Sequence, residues 1–272
     1  MEIEWRLFEA GNCVHPEASS RTGASWRKCE FPALVTLLRH PLEGWFLFDT
    51  GYGEAFLDAT RRFPESLYRW VTPVSWTPRQ AIAAQLHACG IPAADVRGII
   101  VSHFHGDHVG ALADFPAPTI WCSIEAWQDL HGRSRLSALG KGLLPALAPP
   151  DLRNRIRHFE SARPCRLPAA LAPFAEGFDM LSDGSMFAVP LPGHASGHFG
   201  LCFRGRGRWV FLVGDAAWSV RAITENAPPP AWATAALGDT RSYRRTLSAL
   251  HALAGRNSGV LLIPSHCQSF RP

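Results

Sequence analysis

The 272-residue chain has no CxxC pair, no internal repeat and no low-complexity tract, and no apolar run approaches the roughly 18 residues of a membrane span. Its seven cysteines, at 13, 29, 89, 122, 165, 202 and 267, are odd in number and far apart. That spacing excludes a thiolate zinc finger and argues against a disulfide framework, so reduced thiols are expected. The opening residues, MEIEWRLFEAGNC, lack a positively charged start followed by an apolar stretch, and the expectation is a soluble, unexported, cytoplasmic protein. Concentrated charge is also missing: 27 Lys and Arg against 23 Asp and Glu give +4, with only short pairs such as Arg61-Arg62 and Arg244-Arg245. So diffuse a charge makes no nucleic-acid footprint. Small-molecule chemistry, with no nucleic-acid or membrane partner, is what remains.

What the chain has is core material, with 47% hydrophobic residues, enough for one large domain over residues 1–272. FPALVTLLRH and WFLFDTG read as two strands joined by a tight connection. TPRQAIAAQLHACG reads as a helix with Thr77 as N-cap, Pro78 in the first turn, Ile82, Leu86 and Cys89 on its apolar face and Gly90 as its stop. VRGIIVS, MFAVPLPG, LCFRGRGRWVFLVGD and GVLLIPSH supply further strands, and TRSYRRTLSALHALAG an amphipathic helix. Residues 52–77 and 126–175 are less regular and read as insertions or lids over the scaffold. The first carries Phe56, Phe63, Tyr68, Trp70 and Trp76, aromatic surface for a substrate pocket, and Arg61, Arg62 and Arg69, which could meet an acidic group.

The densest chemistry lies in IIVSHFHGDHVGAL, where three histidines and an aspartate fall within six positions at the end of a strand. In extended backbone, residues two apart point the same way, so His103 and His105 can converge on one point. Gly106 permits a turn, after which Asp107 and His108 present a second pair of ligands. Imidazole nitrogen and carboxylate oxygen suit Zn²⁺, and also Fe, Mn or Co. Three other apolar runs end in the same kind of group: His194 in PLPGHASGH, Asp215 in FLVGDAAW and His266 in LLIPSHC.

This ordered set, His103-x-His105-x-Asp107-His108 followed by His194, Asp215 and His266, with DTG at 49–51 ahead of it, resembles the metallo-β-lactamase superfamily across most of the chain. The resemblance implies an α/β fold, a four-layer αββα sandwich with a dinuclear metal site at one edge. It assigns His103, His105 and His194 to a first divalent ion, Asp107, His108 and His266 to a second, and Asp215 to a bridge between two ions, taken as zinc. His198 would support the ligands. Two such ions activate water against a carbonyl or phosphorus centre, with Asp107 orienting the nucleophile or passing on its proton.

Within the superfamily, chain size, PGHASGH and the early DTG are similar to the acyl-homoserine lactonase branch, which opens the lactone ring of quorum-sensing signals. That branch commonly has a tyrosine three residues after the bridging aspartate. Here Trp218 stands there, offering an indole N–H to the substrate in place of a hydroxyl. The expected function is hydrolysis of a lactone or other carboxylic ester, by a chain that, if it associates, does so as a homodimer. The alternatives are a thioesterase of the glyoxalase II kind and a phosphodiesterase of the same fold.

Overall fold

The computed structural model describes residues 1–256 and 259–272. Among the described residues, seven strands form a first sheet: β1 (Glu4–Pro16), β2 (Lys28–His40), β3 (Gly44–Phe48), β4 (Val74–Ser75), β5 (Val96–Ile100), β6 (Thr119–Cys122) and β7 (Ile156–His158). Their order is β4-β1-β2-β3-β5-β6-β7. Six more form a second: β8 (Arg163–Arg166), β9 (Glu176–Asp179), β10 (Met186–Pro190), β11 (Phe199–Gly205), β12 (Arg208–Gly214) and β13 (Leu261–Pro264), in the order β13-β12-β11-β10-β9-β8. Both sheets are mixed, since β3, β5, β6 and β7 run parallel, as do β12 and β13, while the hairpins are antiparallel.

Strands read as nearly continuous apolar runs because both faces of each sheet are covered. Leu38, Phe46, Phe48 and Ile100 meet Leu201, Phe203, Val210 and Leu212 between the sheets. The other face of the first sheet, with Val35, Leu37, Leu47 and Ile99, packs under Phe56, Ile82 and Leu86. The outer face of the second sheet, with Val189, Phe211 and Val213, is covered by Tyr243, Leu247, Leu250 and Leu253. This gives helix, sheet, sheet, helix: the αββα sandwich expected from the motif order.

The covering helices are short, apart from the last. They are α1 (Glu54–Ala59), α2 (Ser66–Val71), α3 (Ile82–Ala88), α4 (Gly106–Val109), α5 (Ile124–Gly132), α6 (Arg135–Gly140), α7 (Val220–Thr224), α8 (Ala231–Leu237) and α9 (Thr240–Gly255). In α9 the buried residues recur at 243, 247, 250 and 253, and the Asp239 side chain caps the first turn by accepting from the Ser242 N–H. The helix expected from Thr77 is split. Thr77 does form a capping box with Gln80, but over a single 3₁₀ turn at Pro78–Gln80. Ala81, extended at ψ 127°, interrupts before α3 begins. Ile82 and Leu86 are buried as expected, whereas Cys89 lies beyond the helix and is exposed.

Residues 52–77 hold α1, α2 and β4. Residues 126–175 include most of α5, all of α6, and the edge strands β7 and β8, one for each sheet. Leu143 in this stretch bridges to His105, so the segment runs against the site itself. All seven cysteines are free thiols. Among the described residues no helix is long and apolar enough to cross a membrane.

Candidate metal centre

Five strand ends from the two sheets meet at one edge of the sandwich. β5 ends at Ile100 and delivers Ser102, His103 and His105; α4 then turns Asp107 and His108 inward. β10 leads to His194, β12 to Asp215, β13 to His266, and β3 to Asp49. The seven residues singled out in the sequence are all brought together. His103, His105 and His194 offer ligand atoms within 4.8 Å of one another, as do His103, His108 and Asp215, and likewise Asp107, His108 and His266. Asp215 stands between the sets: its Oδ2 is 3.1 Å from both His194 Nε2 and His266 Nε2, and its Oδ1 is 3.3 Å from His108 Nε2. Asp107 Oδ2 lies 3.4 Å from His266 Nε2.

Whether these groups suit a cation is decided by what they leave unsatisfied. His103 Nε2, His108 Nε2 and Asp215 Oδ1 are buried, and none has a hydrogen-bond partner among the described residues. Leaving several polar atoms unpaired in one spot costs about 1–3 kcal/mol each. The far side of each ring is tied down. His108 Nδ1–H donates to Asp49 Oδ2 at 2.7 Å. Asp49 also accepts from the Ser102 N–H and the Ser102 hydroxyl, both at 2.8 Å. That hydroxyl is 3.0 Å from His103 Nδ1, and His266 Nδ1–H donates to the Pro32 carbonyl at 2.8 Å. With Nδ1 engaged in this way, the Nε2 atoms of His103 and His108 face inward without a partner, which is how metal-binding imidazoles are oriented, while His266 Nε2 turns to Asp215 Oδ2 at 3.1 Å. The donor set fits divalent metal.

The protonation pattern divides along the same line. Burial holds the imidazoles of His103 and His194 well below the usual histidine range, and brings His105 down to about 4. Burial acts against the charged forms of His108 and His266 too, but the Asp215 carboxylate, helped by Asp107, outweighs it and raises both. Burial would likewise raise Asp215, yet the surrounding His266, His108 and His194 pull it well below the carboxylate range.

His198 does not face the ligand atoms directly. Its Nδ1–H donates to the Leu191 carbonyl at 3.1 Å, and its Nε2 accepts the peptide N–H of Asp215 at 3.0 Å. The ring fits because residue 214 is glycine: it has φ +54°, and a Cβ there would lie 2.6 Å from His198 Nε2. Trp218 packs edge-on to His266 and His194, with ring centroids 5.6 and 6.4 Å away, and its buried Nε1–H has no acceptor among the described residues. Of the aromatics expected in the first insertion, Phe56 is fully buried, and Tyr68 and Trp76 pack into the same cluster, whereas Phe63 and Trp70 are 74% and 81% exposed.

Sequence reasoning gave no role to Asp49, Ser102 or Tyr52. Asp49 was visible only as the first letter of DTG; its positive φ of 61° and its grip on His108 emerge from the fold. Tyr52, 1% exposed, has no signal in sequence beyond following that motif.

Comparison with known proteins agrees with this geometry. A probable metallo-hydrolase of Mycobacterium tuberculosis is 31% identical over 189 residues, 67% of this chain and 57% of its own length. The chain thus spans little more than half of that curated relative. An N-acyl homoserine lactonase of Azorhizobium caulinodans is 27% identical over 241 residues, covering 87% of this chain and 82% of the lactonase. A solved N-acyl homoserine lactone hydrolase, with the product N-hexanoyl-L-homoserine bound at its catalytic metal centre, superposes with a TM-score of 0.74 at 18% identity, over 99% of this chain and 95% of that one. The family model of the metallo-beta-lactamase superfamily matches residues 30–256, which take in most of both sheets, though not β1 or β13, and all the candidate ligands except His266, and the chain belongs to that superfamily.

Proposed function

We propose that the chain is a metal-dependent hydrolase that opens a lactone or related carboxylic ester, with His103, His105 and His194 holding one divalent ion, Asp107, His108 and His266 another, and Asp215 shared between them. The observation that carries this reading is the convergence of seven His and Asp side chains, among which His103, His105, His108 and Asp215 keep buried atoms without a partner while the far sides of the His103, His108 and His266 rings are anchored. The nitrogen and carboxylate-oxygen donors suit zinc, and equally iron, manganese or cobalt; zinc is the ion to load first. When bound, such ions supply Lewis acidity towards water and towards the ester carbonyl.

The protein's own groups do the rest. Asp107 is the most exposed of the seven, with its side chain 13% accessible, so its carboxylate meets what enters from solvent. From there Oδ1 or Oδ2 can orient the attacking water and carry its proton to the leaving alkoxide. Trp218 presents an unpaired N–H beside the His194 and His266 rings, a donor for the carbonyl oxygen of the substrate.

The lactonase relative and the product-bound structural neighbour favour acyl-homoserine lactones as the first substrates to try. The test is proton release by zinc-loaded protein with lactones of increasing acyl length, repeated after chelation. Chelator-sensitive ring opening is expected. Zinc-loaded protein that leaves every lactone intact but cleaves acyl thioesters or phosphodiesters would overturn the ester reading.

A further inference from the structure

We propose that the Phe63–Val71 segment, which includes α2, is a docking surface for an anionic phospholipid membrane. Phe63, Leu67, Trp70 and Val71 are 74%, 41%, 81% and 65% exposed. Leu67, Trp70 and Val71 fall at i, i+3 and i+4 on α2, with Phe63 in the turn just ahead of it, so four of the large exposed hydrophobic residues described are gathered in nine positions. Lone exposed apolar residues are ordinary on a protein surface; a contiguous stripe crowned by a tryptophan is not.

Charge decides what covers it. Arg62 and Arg69 are exposed and have no ion pair among the described residues, while Arg61 pairs with Asp58 and Arg135 with Glu65. Beside the stripe lies an open recess of about 510 Å³, lined in part by Asp58, Arg61, Arg62, Glu65, Arg135 and Leu144. Three arginines against two acids leave it positive, which favours the phosphate of a lipid headgroup. Apolar and aromatic residues flanked by arginine are the composition of a segment that lies in a membrane interface. A second copy of this chain fits less well. A two-fold contact would set each stripe against itself and bring Arg62 and Arg69 towards their own symmetry mates.

The surface also sits behind the metal centre. On the inner side of α2, Tyr68 packs edge-on to Phe56 with ring centroids 5.3 Å apart, and the Phe56 ring lies so close to Gly106 that a Cβ there would be 2.8 Å from it. Gly106 immediately precedes Asp107. Docking would therefore place the site next to the lipid phase in which long-chain esters concentrate. The docking itself does not depend on the ester reading, and its test measures no turnover.

The experiment is co-sedimentation of the zinc-loaded protein with vesicles of phosphatidylcholine alone and of phosphatidylcholine mixed with phosphatidylglycerol. Binding to the mixed vesicles is expected, weakening as salt rises. Arg62→Glu and Arg69→Glu should each weaken it by about fivefold or more, and a Phe63→Ser, Trp70→Ser double variant by at least about tenfold. All four positions are exposed, so unchanged thermal melting will show that each variant folds. Three results would overturn the proposal: no sedimentation with either vesicle, equal binding to both lipids that ignores the arginine variants, or variants that change oligomeric state while vesicle binding stays the same.

Discussion

Asp49 shows how one side chain can govern a centre it does not enter. Both of its oxygens are engaged, by His108 and by Ser102, and Ser102 in turn reaches His103. The carboxylate thus orients a candidate ligand from each ion's set. Replacing it, Asp49→Asn, keeps the shape but offers an N–H₂ where His108 Nδ1–H needs an acceptor. Zinc affinity should fall by about 10- to 100-fold with the fold intact; competition titration against a chromophoric chelator measures it, and unchanged affinity would count against the role. A second consequence concerns protons. In the absence of an ion the neighbouring carboxylates raise the His108 and His266 imidazoles, so these hold their protons to higher pH than His103, His105 and His194, which burial lowers. A ligand nitrogen must lose its proton to bind, so the second equivalent of zinc should release more protons than the first, and its affinity should climb more steeply as pH rises. Calorimetry in two buffers of different ionisation enthalpy reads this directly, and equal release by both equivalents would contradict it.

At the scale of elements, the features legible in sequence were those with their own local signal. The strands leading to His103, His194, Asp215 and His266 could be read because burial on both faces makes each a continuous apolar run, and α9 because its buried residues keep helical spacing. β1 was not read: it alternates charged and apolar residues and is interrupted by a register shift between Glu9 and Asn12. The edge strands β7 and β8 are short and partly exposed, so hydrophobic pattern does not mark them. The metal ligands were legible because their types and order are distinctive. Asp49, Ser102 and Tyr52 were not, because their roles depend on which strand ends the two sheets bring together. The β12 end gives a sharp test of such placement. Gly214→Ala adds a Cβ against His198 at a positive φ, and should cost about 1–3 kcal/mol of stability. Chemical denaturation checks this, and a variant as stable as the parent would show that the His198 contact can relax freely.

For the whole molecule, the sandwich brings donors from opposite sheets to one edge. His103 comes from the first sheet and His194, Asp215 and His266 from the second, so the candidate centre ties the two halves together. Seven buried or nearly buried polar side chains in one place weaken a fold unless something satisfies them, and the two proposed ions would do so. The most direct test is lactone turnover followed as zinc is added stepwise to metal-free protein. Activity that rises to a plateau at about two equivalents per chain is predicted. A plateau at one equivalent, or no turnover with two ions bound, would contradict it.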